Sequence, residues 1–195
     1  MDELLPLLAF AVVTTGTPGP NNVLLWASGA AFGARATLRH VVGTAIGVGG
    51  IVFAVAIGLG AVVTAVPVIG LAMKVIGSAY LLYLAFAIAR SASIEQGTAA
   101  KPLGVLAAVA FQAVNPKVWV FALAVGTAFR PADMPVAAGS LFVALVVAVV
   151  AGPTAAVWAV AGGVVGRLLT GDRSARVLRV ALGVVVAATV IGVWV

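Results

Sequence analysis

The stretch Thr17-Pro18-Gly19-Pro20-Asn21-Asn22 interrupts an apolar run near the start of the chain, and Asn115-Pro116-Lys117 interrupts another in the second half. Both place proline, which has no N–H to donate, inside sequence that otherwise reads as buried helix. Unpaired backbone is costly in hydrocarbon, so a broken helix survives at membrane depth only where it faces protein or a wet cavity. Paired breaks around a cavity point to transport. Pro116 lies 96 positions after Pro20 (116 − 20), close to half of the 195 residues, which suggests a duplicated unit with one break in each copy.

The composition agrees. The chain is 64% hydrophobic and 8% charged, against roughly 25% charged residues in ordinary globular domains, so an all-α, polytopic protein embedded in a lipid bilayer is expected. Its 23 glycines suit close helix packing where apolar surface alone gives no drive for association. With no cysteine, disulfides and cysteine-ligated metals are excluded, and no cofactor is expected. Met1-Asp2-Glu3 is acidic where a secretory signal would be basic, so the first apolar run is read as a retained span.

About 20 apolar residues cross a bilayer. That ruler draws six spans, near Leu4–Ala31, Val41–Val63, Val68–Ala89, Leu103–Ala128, Val136–Gly166 and Val177–Val195. The first, fourth and fifth are long enough to be bent or broken, at Pro18 and Pro20, at Pro116 and at Gly152-Pro153. The loops are too short for a soluble domain, so residues 1–195 form one membrane domain, with a first repeat of about 1–95 and a second of about 96–195. Arg35, Arg39, Arg90, Lys101, Arg167, Arg173, Arg176 and Arg179 fall on one side, against Lys74 and Arg130 on the other. The basic side is cytoplasmic, which puts both termini outside. The net charge of +6 follows from this topology; with no domain to present the basic residues, a nucleic-acid partner is not expected. Three spans per half make the two copies inverted relative to each other, an architecture that holds substrate near the midplane.

The residues also carry a resemblance. Thr17-Pro18-Gly19-Pro20-Asn21-Asn22 followed by Gly29, Gly33, Gly43 and Gly47, then Lys74-Val75-Ile76-Gly77-Ser78-Ala79-Tyr80-Leu81, then Asn115-Pro116-Lys117 and Phe121, resemble in order and spacing the lysine-exporter (LysE/RhtB) family of amino-acid efflux permeases. Lys101-Pro102, Trp158-Ala159 and the Asn21-Asn22 pair are similar to its branch of cysteine and O-acetylserine exporters. The resemblance implies a bacterial inner-membrane exporter of small, neutral amino acids driven by proton antiport. It also departs from the family pattern: many relatives carry an Asp in the second or fifth span, where this chain reads Gly47-Val48-Gly49 and Ala151-Gly152-Pro153.

The expected substrate-binding set is Thr17, Pro18, Gly19, Pro20, Asn21, Asn22, Asn115, Pro116 and Lys117. Half-helix N-termini and the Lys117 charge would face the carboxylate, while the asparagine amides and freed carbonyls around 14–17 and 112–114 would face the ammonium. Each has a plainer reading. The prolines serve as kinks, and Lys117 snorkels if its span starts later. Gly43, Gly47 and Gly77, with the pairs Gly29/Gly33 and Gly162/Gly166, read as helix-packing positions, which allow a homo-oligomer without requiring one. Lys74 reads as snorkelling, His40 as interfacial or capping, and Trp119, Trp158 and Trp194 as interface anchors or packing residues.

Enzyme chemistry finds no footing, since Ser28 and His40 have no acid between them. A cation or metal exporter would want carboxylate, imidazole or thiolate ligands, whereas Asp2, Glu3, Glu95, Asp133 and Asp172 all read as tail or loop. A non-transporting assembly protein would leave the paired breaks unexplained. With no carboxylate inside a span, proton coupling falls to Lys117 acting with the substrate carboxylate, or export runs downhill without coupling.

Overall fold

The computed structural model describes residues 4–90, 102–168 and 172–194. The expectations placed on Met1, Asp2, Glu3, Glu95, Lys101, Val195 and the junction of the halves at 95–96 lie outside these. The described residues form helices α1 (Leu4–Gly16), α2 (Pro20–Phe32), α3 (Leu38–Ala54), α4 (Gly60–Ala65), α5 (Pro67–Arg90), α6 (Val105–Val114), α7 (Pro116–Ala128), α8 (Val136–Leu168) and α9 (Asp172–Trp194), with a π-helical turn Val55–Leu59 joining α3 to α4. No strand occurs among them.

Both breaks fall at the expected residues. Gly19 is extended, and Pro20 opens α2, where a missing N–H is harmless because the first helical amides have no intrahelical acceptor. In the second break Asn115 alone separates α6 from α7, and the two helices bend by 75°. A residue before proline is pushed out of the helical region. Asn115 is extended accordingly, and its side chain caps α7 by accepting from the Lys117 N–H at 3.2 Å.

The other long helices differ from expectation in two places. α8 runs unbroken through Gly152-Pro153 for 33 residues. Pro153 leaves the Val149 carbonyl without its helical amide partner, a loss that membrane helices tolerate, and the Thr154 hydroxyl lies 3.0 Å from the next carbonyls, those of Val150 and Ala151. The second span is interrupted instead, at the π-helical turn, where Gly58 takes φ +134, a conformation that favours glycine. Asp172 opens α9 rather than lying in a loop. By length and composition Leu38–Ala65 and Val136–Leu168 can each cross a bilayer, and the bent α6–α7 pair adds a third where the pair is counted as one broken span.

Glycine sets the packing. In α2 and α8, Gly29 lies against the Ala159 carbonyl, Gly162 against that of Trp26 and Gly166 against that of Ala30, each too close to admit a Cβ. Gly43 and Gly47 seat α3 against Val105, Val109 and Gln112 of α6, and Gly77 seats α5 on Val114 and Pro116. Gly33 does not pack; it ends α2 with φ +83, and its N–H bonds the Gly29 carbonyl at 2.9 Å. α3 and α8 run antiparallel, with Gly49 at Ala144 and Ala148 and Gly152 at Ala45. α5 and α9 do the same, with Gly183 at Ala85 and Trp194 Nε1 donating to Ser78 Oγ at 3.0 Å. Lys74 places its ammonium 5.8 Å from the Trp194 ring centre. A core of Leu7, Val52, Val125 and Val147 fills the space between α1, α3, α7 and α8.

Two substitutions test this packing. Gly162→Ala forces a Cβ into the Trp26 carbonyl and should lower stability by about 1–3 kcal/mol or more. Gly50→Ala, whose Cβ would meet nothing within 4 Å, should be neutral or slightly stabilising, because alanine is the better helix former. Thermal unfolding in detergent separates them, and equal melting temperatures would show that the α2–α8 contact is looser than described.

Candidate functional site

The last turn of α1 explains the site. A helix end leaves four carbonyls without intrahelical partners, and prolines at 18 and 20 remove two amides that could have answered them. Side chains answer instead. Thr17 Oγ1 donates to the Thr14 carbonyl at 3.0 Å, and Asn22 Nδ2 donates to those of Thr15 and Thr17, each at 2.8 Å. Trp158 Nε1 of α8 reaches the Gly16 carbonyl at 3.2 Å. Lys117 Nζ of α7 donates to the Thr17 carbonyl and to Thr17 Oγ1, each at 2.9 Å, with the Pro18 carbonyl at 3.5 Å. The helix end carries partial negative charge, so a lysine ammonium is electrostatically suited to it.

A second cluster lies behind the first residues of α2. Asn21 Oδ1 accepts from Gln112 Nε2 of α6 at 2.7 Å, with His40 Nε2 at 3.2 Å and Thr44 Oγ1 at 3.3 Å, both from α3. Asn115 Nδ2 donates to Gln112 Oε1 at 3.3 Å. Three donors share one carbonyl oxygen that has two lone pairs. All five side chains are buried, and His40 Nδ1 has no partner.

The two clusters face one cavity between α1, α2, α3, α6, α7 and α8. It offers ≈ 40 Å³ to the centres of water molecules and is lined by Thr15, Asn21, Gln112, Asn115, Lys117 and Thr154, among others. Since one water needs roughly 10–15 Å³ on this measure, the inner cavity has room for a few waters. A wider cavity of ≈ 620 Å³ opens on the far side of Lys117, toward Met73 and Lys74 of α5 and Thr189 of α9.

The structure therefore brings both breaks to one place. Thr17, Pro18, Gly19, Pro20, Asn21, Asn22, Asn115, Pro116 and Lys117 all lie on one or both cavities or on their bonds. Their tasks differ from expectation, however. Asn22 caps α1, Asn21 is engaged by Gln112, and the Lys117 ammonium is directed at carbonyls of α1. His40 is buried in the site instead of lying at an interface. Trp158 and Trp119 cap helix ends, the latter by donating to the Ala113 carbonyl of α6 at 2.9 Å. Ser28 bonds Thr37 at 2.9 Å, away from His40. Gln112, Thr44 and Thr154 were missed as site side chains; Gln112 is polar inside an apolar run, a signal that could have found it. Among the described residues, no three of His, Cys, Asp and Glu gather as a metal site.

Comparison with known proteins bears on this arrangement. The chain is 30% identical over 166 residues to the cysteine/O-acetylserine efflux protein of Escherichia coli (strain K12), an alignment covering 82% of each chain. It is 30% identical over 121 residues to the protein of the same name from Salmonella typhimurium (strain LT2), where it spans 58% of the relative's length. No solved structure matches it. The family profile described as "LysE type translocator" matches residues 12–195, taking in both breaks and the cavity they enclose, and the chain belongs to that family.

Proposed function

We propose that this chain exports small, neutral amino acids across the inner membrane, through six spans in two inverted halves, binding substrate where the helix breaks meet. The carrying observation is the joining of residues about half a chain apart, Lys117 to Thr17 and Gln112 to Asn21. The backbone amides of Asn21 and Asn22 at the start of α2 supply donors for a carboxylate, and the carbonyl ends of α1 and α6 supply acceptors for an ammonium. The Lys117 ammonium lines the inner cavity, and like-charge repulsion there disfavours a cationic side chain relative to a neutral one. The names of the relatives favour the same substrate class.

Inversion of the halves is supported by the pairing of equivalent helices. α3 meets α8 antiparallel, and α5 meets α9 antiparallel, as a two-fold axis in the membrane plane requires. The excess of basic residues on one set of loops favours termini on the outer side.

Efflux of labelled alanine, serine, cysteine, O-acetylserine and lysine from loaded proteoliposomes tests the reading. The neutral members should leave faster than lysine, and an imposed pH difference should drive them against their own gradient if export is proton antiport. Equal movement with protein-free liposomes for the whole panel would refute the function.

Asn21→Ala removes the acceptor on which Gln112, His40 and Thr44 converge. Leaving those buried donors unpaired disorders the pocket floor, so the apparent KM for the exported amino acid should rise about tenfold at unchanged membrane abundance. A change confined to abundance would make Asn21 purely structural.

A further inference from the structure

Lys117 Nζ has three donors to place, and it places them on oxygens of the first break. Thr17 O and Thr17 Oγ1 lie at 2.9 Å and Pro18 O at 3.5 Å, at the negative end of α1. Three oxygens converging on a primary ammonium make a receptor for that group, and every common α-amino acid except proline carries one. Thr14, Gly19, Pro20, Asn115, Lys117 and Phe121 line both the inner and the wider cavity, so this ammonium stands between them. Gly19 leaves the lysine stem room: a Cβ there would come within 3.0 Å of Lys117 Cδ.

We infer that the oxygens of Thr17 and Pro18 are the subsite for the substrate's ammonium, and that Lys117 is a tethered ammonium filling that subsite in the empty carrier. This rests on the amino-acid reading above and adds to it a reason for the lysine. A broken helix end cannot face hydrocarbon or a dry cavity with its carbonyls unpaired. With substrate bound, the substrate's ammonium pairs them; with substrate gone, Lys117 does. The charge in the cradle is the same in both states, so the empty protein can reorient as readily as the loaded one.

Purified protein in liposomes, with labelled cysteine under reducing conditions, separates the two halves of the cycle. Net efflux into cysteine-free medium needs the empty protein to reorient; exchange of internal label for external cysteine does not. In Lys117→Met, net efflux should fall at least about tenfold while exchange falls less than about threefold, the difference reflecting oxygens left unpaired only in the empty state. Lys117→Gln, which keeps an N–H donor for the Thr17 oxygens but drops the charge, should give the same split at smaller size, and it decides the matter if Lys117→Met fails to assemble. Parallel loss of both modes overturns the inference, because Lys117 would then act on bound substrate. Undiminished net efflux overturns it as well. A wild-type protein that moves no amino acid in either mode refutes the exporter reading itself, which a failed split beside an active wild type does not.

Discussion

Everything in the site answers to one requirement, that carbonyls released at a broken helix end find donors inside the protein. At the end of α1 the donors come from Thr17 itself, from Asn22, from Lys117 and from Trp158, residues of the break, α2, α7 and α8. No local segment could form this break alone, because two of its donors lie 100 and 142 positions away in the chain. The break is therefore a product of the tertiary fold, and the cavity beside it forms when the distant helices arrive.

The second break is solved differently. Asn115 caps α7 through its own side chain, and Trp119 closes the Ala113 carbonyl only six positions back. It needs no donor from the other half. The traffic between the breaks is thus one-sided: Lys117 and Gln112 reach across to the first, where Thr17 and Asn21 receive them.

Proline and glycine made much of this readable, because both act through the backbone and leave marks that do not depend on neighbours. Pro20 and Pro116 located the breaks, and Gly43, Gly47 and Gly77 located close helix contacts. Side-chain tasks were less legible. A tryptophan near a helix end looks the same whether it faces lipid headgroups or caps a carbonyl, and only the position of α1 decides for Trp158. His40 read as an edge residue because its depth depends on where Asn21 packs. The turn at Gly58 had no signal, lying among glycines common to such helices. Pro153 carried a misleading one, since α8 continues through it as helix and a membrane helix tolerates a single missing amide.

The contact between α2 and α8 has a mechanical consequence. Gly29, Gly162 and Gly166 bring backbone against backbone, and a slide of one residue would drive a side chain into space that admits only hydrogen. These two helices have a single gear setting and turn together as one strut. α7 meets its neighbours through Val118, Phe121 and Val125, side chains that can reseat by rotamer changes. Any rearrangement of this bundle moves α2 and α8 as one body and leaves the repacking to the face of α7.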